Sequence, residues 1–200
     1  MRRLVTFLGT GKYEETRYER PDGDGLRTRY VAHAIARLWE ADEVVVLATD
    51  KAWATHGEGL KQVLDGRPSP TVETIPEGKT QAELWAQLDV LLQALRVQEG
   101  TELLLDITHG FRSQPFFAAG ALGLLRMAGA LDGAQVRVLY GRYLPEAPDC
   151  SPIWDLTPMM ELLDWAHGAA VLTATGHGGP LVEVARRADR TLRCRATVEH

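Results

Sequence analysis

Five short apolar runs, each five or six residues long, recur along the chain. They cover residues 4–8, 43–48, 71–75, 102–107 and 135–140. Amphipathic stretches separate them at 28–40, 56–65, 80–97 and 114–130. Strands that alternate with helices predict an α/β domain with a mostly parallel sheet, and the runs at 43–48 and 102–107 are apolar on both faces, as central parallel strands are. We predict a Rossmann-like open sheet with helices on both faces and strand order 3-2-1-4-5.

The chain after the fifth run predicts a different arrangement. Residues 144–152 have the proline and turn content of an exposed loop, and residues 153–156 predict an extra strand at the edge of the sheet. Thr157 and Pro158 suit the start of a helix, as cap and first-turn residue. We therefore divide the chain into a Rossmann-like domain, residues 1–175, and a C-terminal helical extension or linker, residues 176–200.

Composition excludes several classes of function. The 200 residues carry 22 Lys and Arg against 27 Asp and Glu, a net charge of −5, whereas surfaces that coat long nucleic acids carry a strong basic excess. Cys150 and Cys194 lack CxxC spacing, so we expect neither a disulfide framework nor a zinc site. The N-terminal apolar run is too short for a signal peptide, and no segment is long enough to span a membrane. We expect a cytoplasmic protein without a metal or other cofactor.

Polar residues gather directly after the first and the fourth apolar runs. The first run leads into GTGK at residues 9–12, and the fourth into DITHGFRS at residues 106–113. In an open parallel sheet, ligands bind beyond the carboxyl ends of the strands, where the strand order reverses. With the order 3-2-1-4-5, strands one and four are neighbours. We therefore expect the two loops to face each other across one crevice.

The residues near this crevice predict a phosphate-bearing ligand. Gly9 and Gly11 let backbone N–H groups approach a ligand, and Ser113 precedes a helix, begun by Pro115, whose N-terminus favours an anion. Four basic residues belong to the same end of the predicted sheet: Lys12, Arg17, Arg112 and Arg142. The glycines lack GxGxxG spacing, and a Walker motif is absent from the sequence. These absences disfavour ordinary dinucleotide or triphosphate binding.

Several of these residues also have structural interpretations. Asp106 could cap the turn or hold His109, which is compatible with a site. His109 lies between Thr108 and Gly110 at a strand's carboxyl end, so we predict that it contacts the ligand. We interpret His33, His56, His167 and His177 as structural or solvated. A Ser/His/Asp hydrolase built from Ser113, His109 and Asp106 is disfavoured, because GxSxG is absent and all three would crowd into one loop.

The sequence DITHGFRS contains a DxTHG motif. Together with VTFLGTGKYEETRYE at residues 5–19, it resembles the CRISPR-associated Rossmann fold (CARF) domains of type III CRISPR ancillary proteins, in the DxTHG-motif class. The similarity continues in VVVLATDKAW, VRVLYGRY and IWDLTPMMELLDWAHGA, so it covers most of residues 1–175. The resemblance implies a homodimer that binds a cyclic oligoadenylate, usually of four or six adenylates, in a cleft across the dimer axis.

The resemblance also implies which residues line the cleft. Carried over by position, they are Gly9, Thr10, Gly11, Asp106, Thr108, His109, Gly110 and Arg112. The further ligand-binding candidates are Lys12, Arg17, Thr49, Phe111, Ser113 and Arg142. Many members of the class continue into a helical HEPN ribonuclease domain. We expect either a sensor whose effector domain is missing from this chain or a stand-alone sensor.

Two further functions remain as alternatives to a pure sensor. The first is a metal-independent ring nuclease, in which a ribose 2′-hydroxyl attacks the adjacent phosphate and leaves a 2′,3′-cyclic phosphate. Thr10 and His109 would then be catalytic, and Lys12 and Arg112 would stabilise the developing charge. The second is a nucleotide- or sugar-nucleotide-binding Rossmann enzyme, which a bound nicotinamide or flavin would reveal.

Overall fold

The computed structural model describes residues 1–65, 69–147 and 149–198. The strands are β1 Arg2–Leu8, β2 Thr16–Glu19, β3 Gly25–Thr28, β4 Glu43–Ala48, β5 Thr71–Thr74, β6 Glu102–Asp106, β7 Gln135–Gly141 and β8 Ser151–Asp155. The helices are α1 Val31–Leu38, α2 Asp50–Val63, α3 Gln81–Ala94, α4 Gln114–Met127, α5 Thr157–Thr175 and α6 Gly179–Val198.

The strands form one sheet in the order β3-β2-β8-β7-β6-β1-β4-β5. The five strands predicted from apolar runs are β1, β4, β5, β6 and β7, and they pair in parallel in the predicted order 3-2-1-4-5. The Rossmann-like α/β prediction is confirmed. It succeeds because β1, β4 and β6 are buried on both faces, which requires apolar residues at nearly every position.

The far side of the sheet differs from the prediction. β8 is not an edge strand: it pairs antiparallel with β7, and β2 continues the sheet on its other side. β2 and β3 form an antiparallel hairpin that the sequence analysis missed. Each has only four residues, and Tyr18 is the one aromatic residue among the polar residues of β2, so neither strand produces an apolar run. The buried hydroxyls of Thr16 and Ser151, 2.8 Å apart, join this hairpin to β8.

Helices α1 to α4 cover both faces of the sheet. The chain moves across the sheet in one direction from β1 through β4 to β5, and in the opposite direction from β5 through β6 to β7. Crossovers between parallel strands are right-handed. Helices α1 and α2 therefore lie on one face of the sheet, and α3 and α4 lie on the opposite face. On the first face, Leu4, Val46 and Leu104 pack with Ile35 and Leu60 in a fully buried cluster. This rigid core fixes the carboxyl ends of the central strands.

Helix α2 begins earlier than predicted, at Asp50 instead of residue 56. Thr49 directly follows β4, and its Oγ1 accepts a hydrogen bond from the Ala52 N–H at 3.2 Å. This cap satisfies one of the free N–H groups of the first turn, so the helix can begin without a connecting loop.

The chain divides into two compact units, residues 1–156 and 157–200. In the second unit, α5 and α6 pack against each other, with an ion pair between Asp164 and Arg187 at 3.3 Å. The division into residues 1–175 and 176–200 concerns function and stays a prediction. Within the described ranges, no helix is both long and apolar enough to cross a membrane.

Candidate functional site

The site lies where two loops leave the carboxyl ends of neighbouring strands. We call residues 9–15 the β1 loop and residues 107–113 the β6 loop. β1 and β6 are parallel, with Thr6 beside Asp106, so both loops emerge at the same edge of the sheet. A Cβ added at Gly9 would lie 2.7 Å from the carbonyl oxygen of His109. The loops are therefore in direct contact, and glycine is required at this crossing.

Hydrogen bonds to one buried carboxylate hold the start of the β6 loop. Asp106 is fully buried; its Oδ2 accepts from the Thr6 hydroxyl at 2.6 Å. Its Oδ1 accepts from the Thr108 N–H at 2.9 Å and from the Thr108 hydroxyl at 2.5 Å. The Thr108 hydroxyl in turn accepts from the Gly141 N–H at 2.8 Å. Asp106 and Thr108 thus brace the loop against β1 and β7.

The end of the β6 loop is held by the first residue of α4. The Gln114 Oε1 accepts a hydrogen bond from the Phe111 N–H at 2.7 Å, and Gly110 lies against the Gln114 side chain. Ser113 occupies the N-cap position, but its side chain makes no capping bond. Phe111 is 39% exposed and Arg112 is exposed. The loop therefore presents an aromatic ring and a guanidinium to solvent on a fixed backbone.

Aromatic rings hold the β1 loop. The Tyr13 ring stacks on the His109 ring, with centroids 4.1 Å apart, and on the His56 ring, with centroids 4.4 Å apart. The Tyr13 hydroxyl accepts from the Gly9 N–H at 2.8 Å and donates to the Gly9 carbonyl at 3.0 Å. Burial raises the pKa of Tyr13, so the phenol remains protonated. The His56 Nε2 lies 2.8 Å from the Gly11 carbonyl oxygen.

The His109 imidazole is enclosed at the junction of the two loops. Its Nε2 is buried and has no hydrogen-bond partner among the described residues. Burial lowers the pKa of His109, the Asp106 carboxylate opposes this shift, and His56 adds to it. The neutral imidazole is therefore favoured at pH 7, and its Nε2 is not used by any hydrogen bond in the described structure.

The predicted basic residues do not all reach the crevice. Lys12 is exposed in the β1 loop, where an ion pair with Glu14 at 2.6 Å raises its pKa. Arg142 follows Gly141 at the end of β7, and its guanidinium lies 5.2 Å from the centre of the Trp154 ring. Arg17 instead lies on β2, which three strands separate from β1, and its Nε donates a hydrogen bond to Glu19 at 2.7 Å.

The structure therefore brings most of the predicted residues to one edge of the sheet. Those that meet there are Gly9, Thr10, Gly11, Lys12, Asp106, Thr108, His109, Gly110, Phe111, Arg112, Ser113 and Arg142. Arg17 lies outside the group because β2 belongs to the hairpin. Thr49 is buried at the end of β4, and its hydroxyl caps α2.

Tyr13 belongs to the site but is not among the predicted residues, and two of the histidines interpreted as structural or solvated have partners in the structure. Tyr13 lies within the motif at residues 5–19, and no residue spacing indicates that its ring stacks between His56 and His109. His56 has partners in Tyr13 and the Gly11 carbonyl, and the His33 Nδ1 lies 3.2 Å from the Thr28 hydroxyl. Within the described residues, no three or more His, Cys, Asp or Glu side chains converge as metal ligands would.

A family model and a known protein are similar to this chain. The family model for the CARF domain of the CRISPR system endoribonuclease Csx1 matches residues 3–145, more than two thirds of the chain. The CRISPR-associated protein MJ1674 of Methanocaldococcus jannaschii is 26% identical over 121 residues, which cover 59% of this chain and 19% of that protein. The chain thus spans about a fifth of the length of this relative. Both loops of the site fall inside the stretch that the family model matches.

Proposed function

The chain belongs to the family of Csx1 CARF domains, and on this premise we propose that it is the sensor domain of a type III CRISPR antiviral protein and binds a cyclic oligoadenylate. The proposed ligand is a ring of four or six adenylates, and the proposed site is the crevice of the β1 and β6 loops. The DITHG sequence at residues 106–110 supports assignment to the DxTHG-motif class.

The contact between the two loops is the observation that carries this proposal. Gly9 lies directly against the His109 backbone, so groups from both loops can reach one ligand. Lys12, Arg112 and Arg142 are exposed at this edge and can pair with phosphates, although the chain as a whole is acidic. The exposed Phe111 ring can stack on a base.

The proposal divides the predicted residues into two groups. Thr10, Gly11, Lys12 and Arg112 are exposed and would contact the ring directly. Asp106 is fully buried and bonded to Thr6 and Thr108, so we assign it to positioning the β6 loop.

An exposed face of α4 supports the proposed homodimer. Phe116, Leu124 and Met127 are 80%, 50% and 63% exposed, and they fall on one side of the helix, opposite the buried Leu122 and Leu125. Gly120 and Gly123 lie between them with open space around them. A large apolar face on a helix that begins at the β6 loop fits a second copy, which would bring two crevices close to one two-fold axis.

The homodimer is tested by placing a charge on this face. We expect the wild-type chain to sediment as a dimer and Leu124→Glu as a monomer, because a carboxylate would be buried unpaired at the interface. Val182→Glu is the control, since Val182 is also 50% exposed but lies on α6. A monomeric wild-type chain, or a dimeric Leu124→Glu, would overturn this part of the proposal.

Calorimetry tests ligand binding. Cyclic tetraadenylate and cyclic hexaadenylate are titrated separately into the protein, and linear oligoadenylates of the same lengths are the controls. We expect one of the rings to bind with one ring per two chains and its linear counterpart to bind more weakly, because a closed ring is preorganised. If neither ring binds, the proposed ligand is wrong.

The unused Nε2 of a neutral His109 favours a second candidate function, ring cleavage. A ribose 2′-hydroxyl would lose its proton as its oxygen bonds to phosphorus, the bond from phosphorus to the 5′-oxygen would break, and that oxygen would take up a proton. His109 could accept or return this proton, with Thr10 nearby in the β1 loop. With labelled ring, we expect a linear product ending in a 2′,3′-cyclic phosphate. His109→Asn should then retain binding but cleave about a hundredfold more slowly. If the ring is still intact after prolonged incubation, ring cleavage is rejected and only the sensor function remains.

A further inference from the structure

The Tyr13 ring is enclosed on both faces by histidines from different elements. His109 belongs to the β6 loop and His56 to α2, and both rings lie nearly parallel to that of Tyr13, at 22° and 14°. The Tyr30 ring meets Tyr13 edge-on, with centroids 5.8 Å apart. Tyr13 therefore connects the β1 loop to two neighbouring parts of the fold.

Few other bonds hold the β1 loop in place. Within the described part of the chain, no backbone group of residues 10–15 bonds to another backbone group. The Tyr13 hydroxyl bonds Gly9 within the loop itself. The loop is held against the fold by the Tyr13 stacks, by the packing of Tyr13 on the core cluster, and by His56 at the Gly11 carbonyl. The position of the loop thus depends on the side chains of Tyr13 and His56.

The buried Nε2 of His109 is energetically unfavourable because it lacks a hydrogen bond. This atom has no partner in the described structure, although a buried polar atom is normally hydrogen-bonded. Tyr13 stacks against this imidazole but offers it no hydrogen bond, because the Tyr13 hydroxyl is bonded to Gly9. In this arrangement, which we call closed, the His109 ring stacks on Tyr13 but its Nε2 has no hydrogen bond within the described residues. A group that could bond Nε2 must displace part of its surroundings.

We propose that Tyr13 is a movable cover on His109: the β1 loop swings away with the Tyr13 ring and opens the His109 Nε2 to a ligand phosphate. This inference rests on the proposed function for its ligand but not for the motion. Gly9 and Gly11 both lie on the N-terminal side of Tyr13 in this loop and permit the backbone change there. His56 remains on α2 when the loop opens, so it positions Tyr13 only in the closed state. Ligand binding is then coupled to the position of the β1 loop.

Chemical labelling tests the cover without any ligand. Diethylpyrocarbonate acylates accessible neutral imidazoles, and mass spectrometry of peptides reports the labelling rate of each histidine in the intact protein. We expect His109 to react slowly in the wild type and at least about tenfold faster in Tyr13→Ala. Exposed His167 provides the internal reference, and Tyr140→Ala, which removes a half-buried tyrosine elsewhere, is the matched control. An unchanged His109 rate in folded Tyr13→Ala overturns the proposal.

A second variant covers the case in which Tyr13→Ala does not fold. Tyr13→Phe retains the stacked ring but loses both hydroxyl bonds to Gly9, so His109 labelling should rise by a smaller factor. No rise in Tyr13→Phe would then overturn the cover. Repeating the labelling with cyclic tetra- or hexaadenylate separates the two proposals: faster labelling in the variants with no effect of either ring supports the cover and rejects the ligand.

Discussion

The two loops of the site are adjacent in space but are held by different kinds of interaction. The β6 loop is fixed by hydrogen bonds that the side chains of Asp106, Thr108 and Gln114 accept from backbone N–H groups. The β1 loop has few such bonds and depends on the stacked ring of Tyr13. Hydrogen bonds in a buried network are directional, whereas stacked rings can separate without leaving several polar groups unpaired. The site thus combines a rigid side with an adaptable one.

The largest expected effect comes from breaking the rigid side. Asp106→Ala leaves the Thr6 hydroxyl and both Thr108 donors without their acceptor in a buried place. We expect a loss of about 3 kcal/mol or more in the free energy of unfolding, measured with urea. Asp89→Ala, at an exposed position on α3, is the control and should change it by less than about 0.5 kcal/mol. Equal stabilities would show that the β6 loop does not depend on this carboxylate.

The crossing between the loops should be the next most sensitive position. An added Cβ at Gly9 meets the His109 carbonyl at 2.7 Å, whereas one at Gly11 meets nothing closer than Tyr13 at 3.9 Å. We expect Gly9→Ala to lower the free energy of unfolding by about 1–3 kcal/mol and Gly11→Ala to have little effect. If both variants unfold at the same urea concentration, the loops are not pressed together.

The loss of stability at acid pH should depend on the enclosed imidazole of His109. Burial lowers the pKa of His109 below its ordinary value of 6.5, with Asp106 opposing and His56 adding to the shift. Below about pH 6.5 the unfolded chain therefore binds more protons than the folded one. The free energy of unfolding decreases as the pH is lowered, until the pH is below the pKa of His109 in the folded protein. We expect the melting temperature to fall as the pH is lowered through about 6.5, and less steeply in His109→Gln.

A second histidine provides an internal comparison for this titration. Burial, with Arg37 nearby, also lowers the pKa of His33, which lies outside the two loops. His33→Gln should remove the contribution of His33 to the fall in melting temperature at acid pH and leave the contribution of His109 unchanged. If His109→Gln has the pH profile of the wild type, the imidazole is not held neutral at the junction.

The smallest expected effect concerns the exposed charge of the β6 loop. Arg112→Ala should weaken ring binding and reduce the slope of log affinity against log salt by about 0.7–1, because one phosphate contact fewer releases fewer counterions. Arg37→Ala is the control, since Arg37 is exposed in the last turn of α1, away from the carboxyl edge of the sheet. An unchanged slope would mean that Arg112 does not contact a phosphate.

The sequence predicted the central sheet because burial on both faces forces apolar runs at β1, β4 and β6. Prediction failed where the strands are short and carry polar residues, as in the hairpin of β2 and β3. The missed hairpin also explains the wrong position predicted for Arg17. Without β2, Arg17 would belong to the loop after β1 and would lie near Gly9. Local composition does not determine strand pairing when few residues face the core.

The candidate site was predictable to the same extent. Chain order alone places residues 9–12 and 106–113 at one edge, because parallel neighbours end together. The ring stack was not predictable, since Tyr13, His56 and His109 are far apart in sequence and each has an ordinary structural interpretation by itself. Their meeting depends on the position of α2 beside the β1 loop, where the His56 Nε2 lies 2.8 Å from the Gly11 carbonyl oxygen.

Hydrogen exchange measured by mass spectrometry, with and without cyclic tetra- or hexaadenylate, tests the central claim most directly. The account predicts that the bound ring slows exchange in peptides covering residues 9–15 and 107–113. Peptides covering residues 98–101 and 132–135, at the opposite edge of the sheet, should exchange at the same rate in both samples. Protection confined to any other surface, with the β1 and β6 loops unchanged while the ring is bound, would contradict the account.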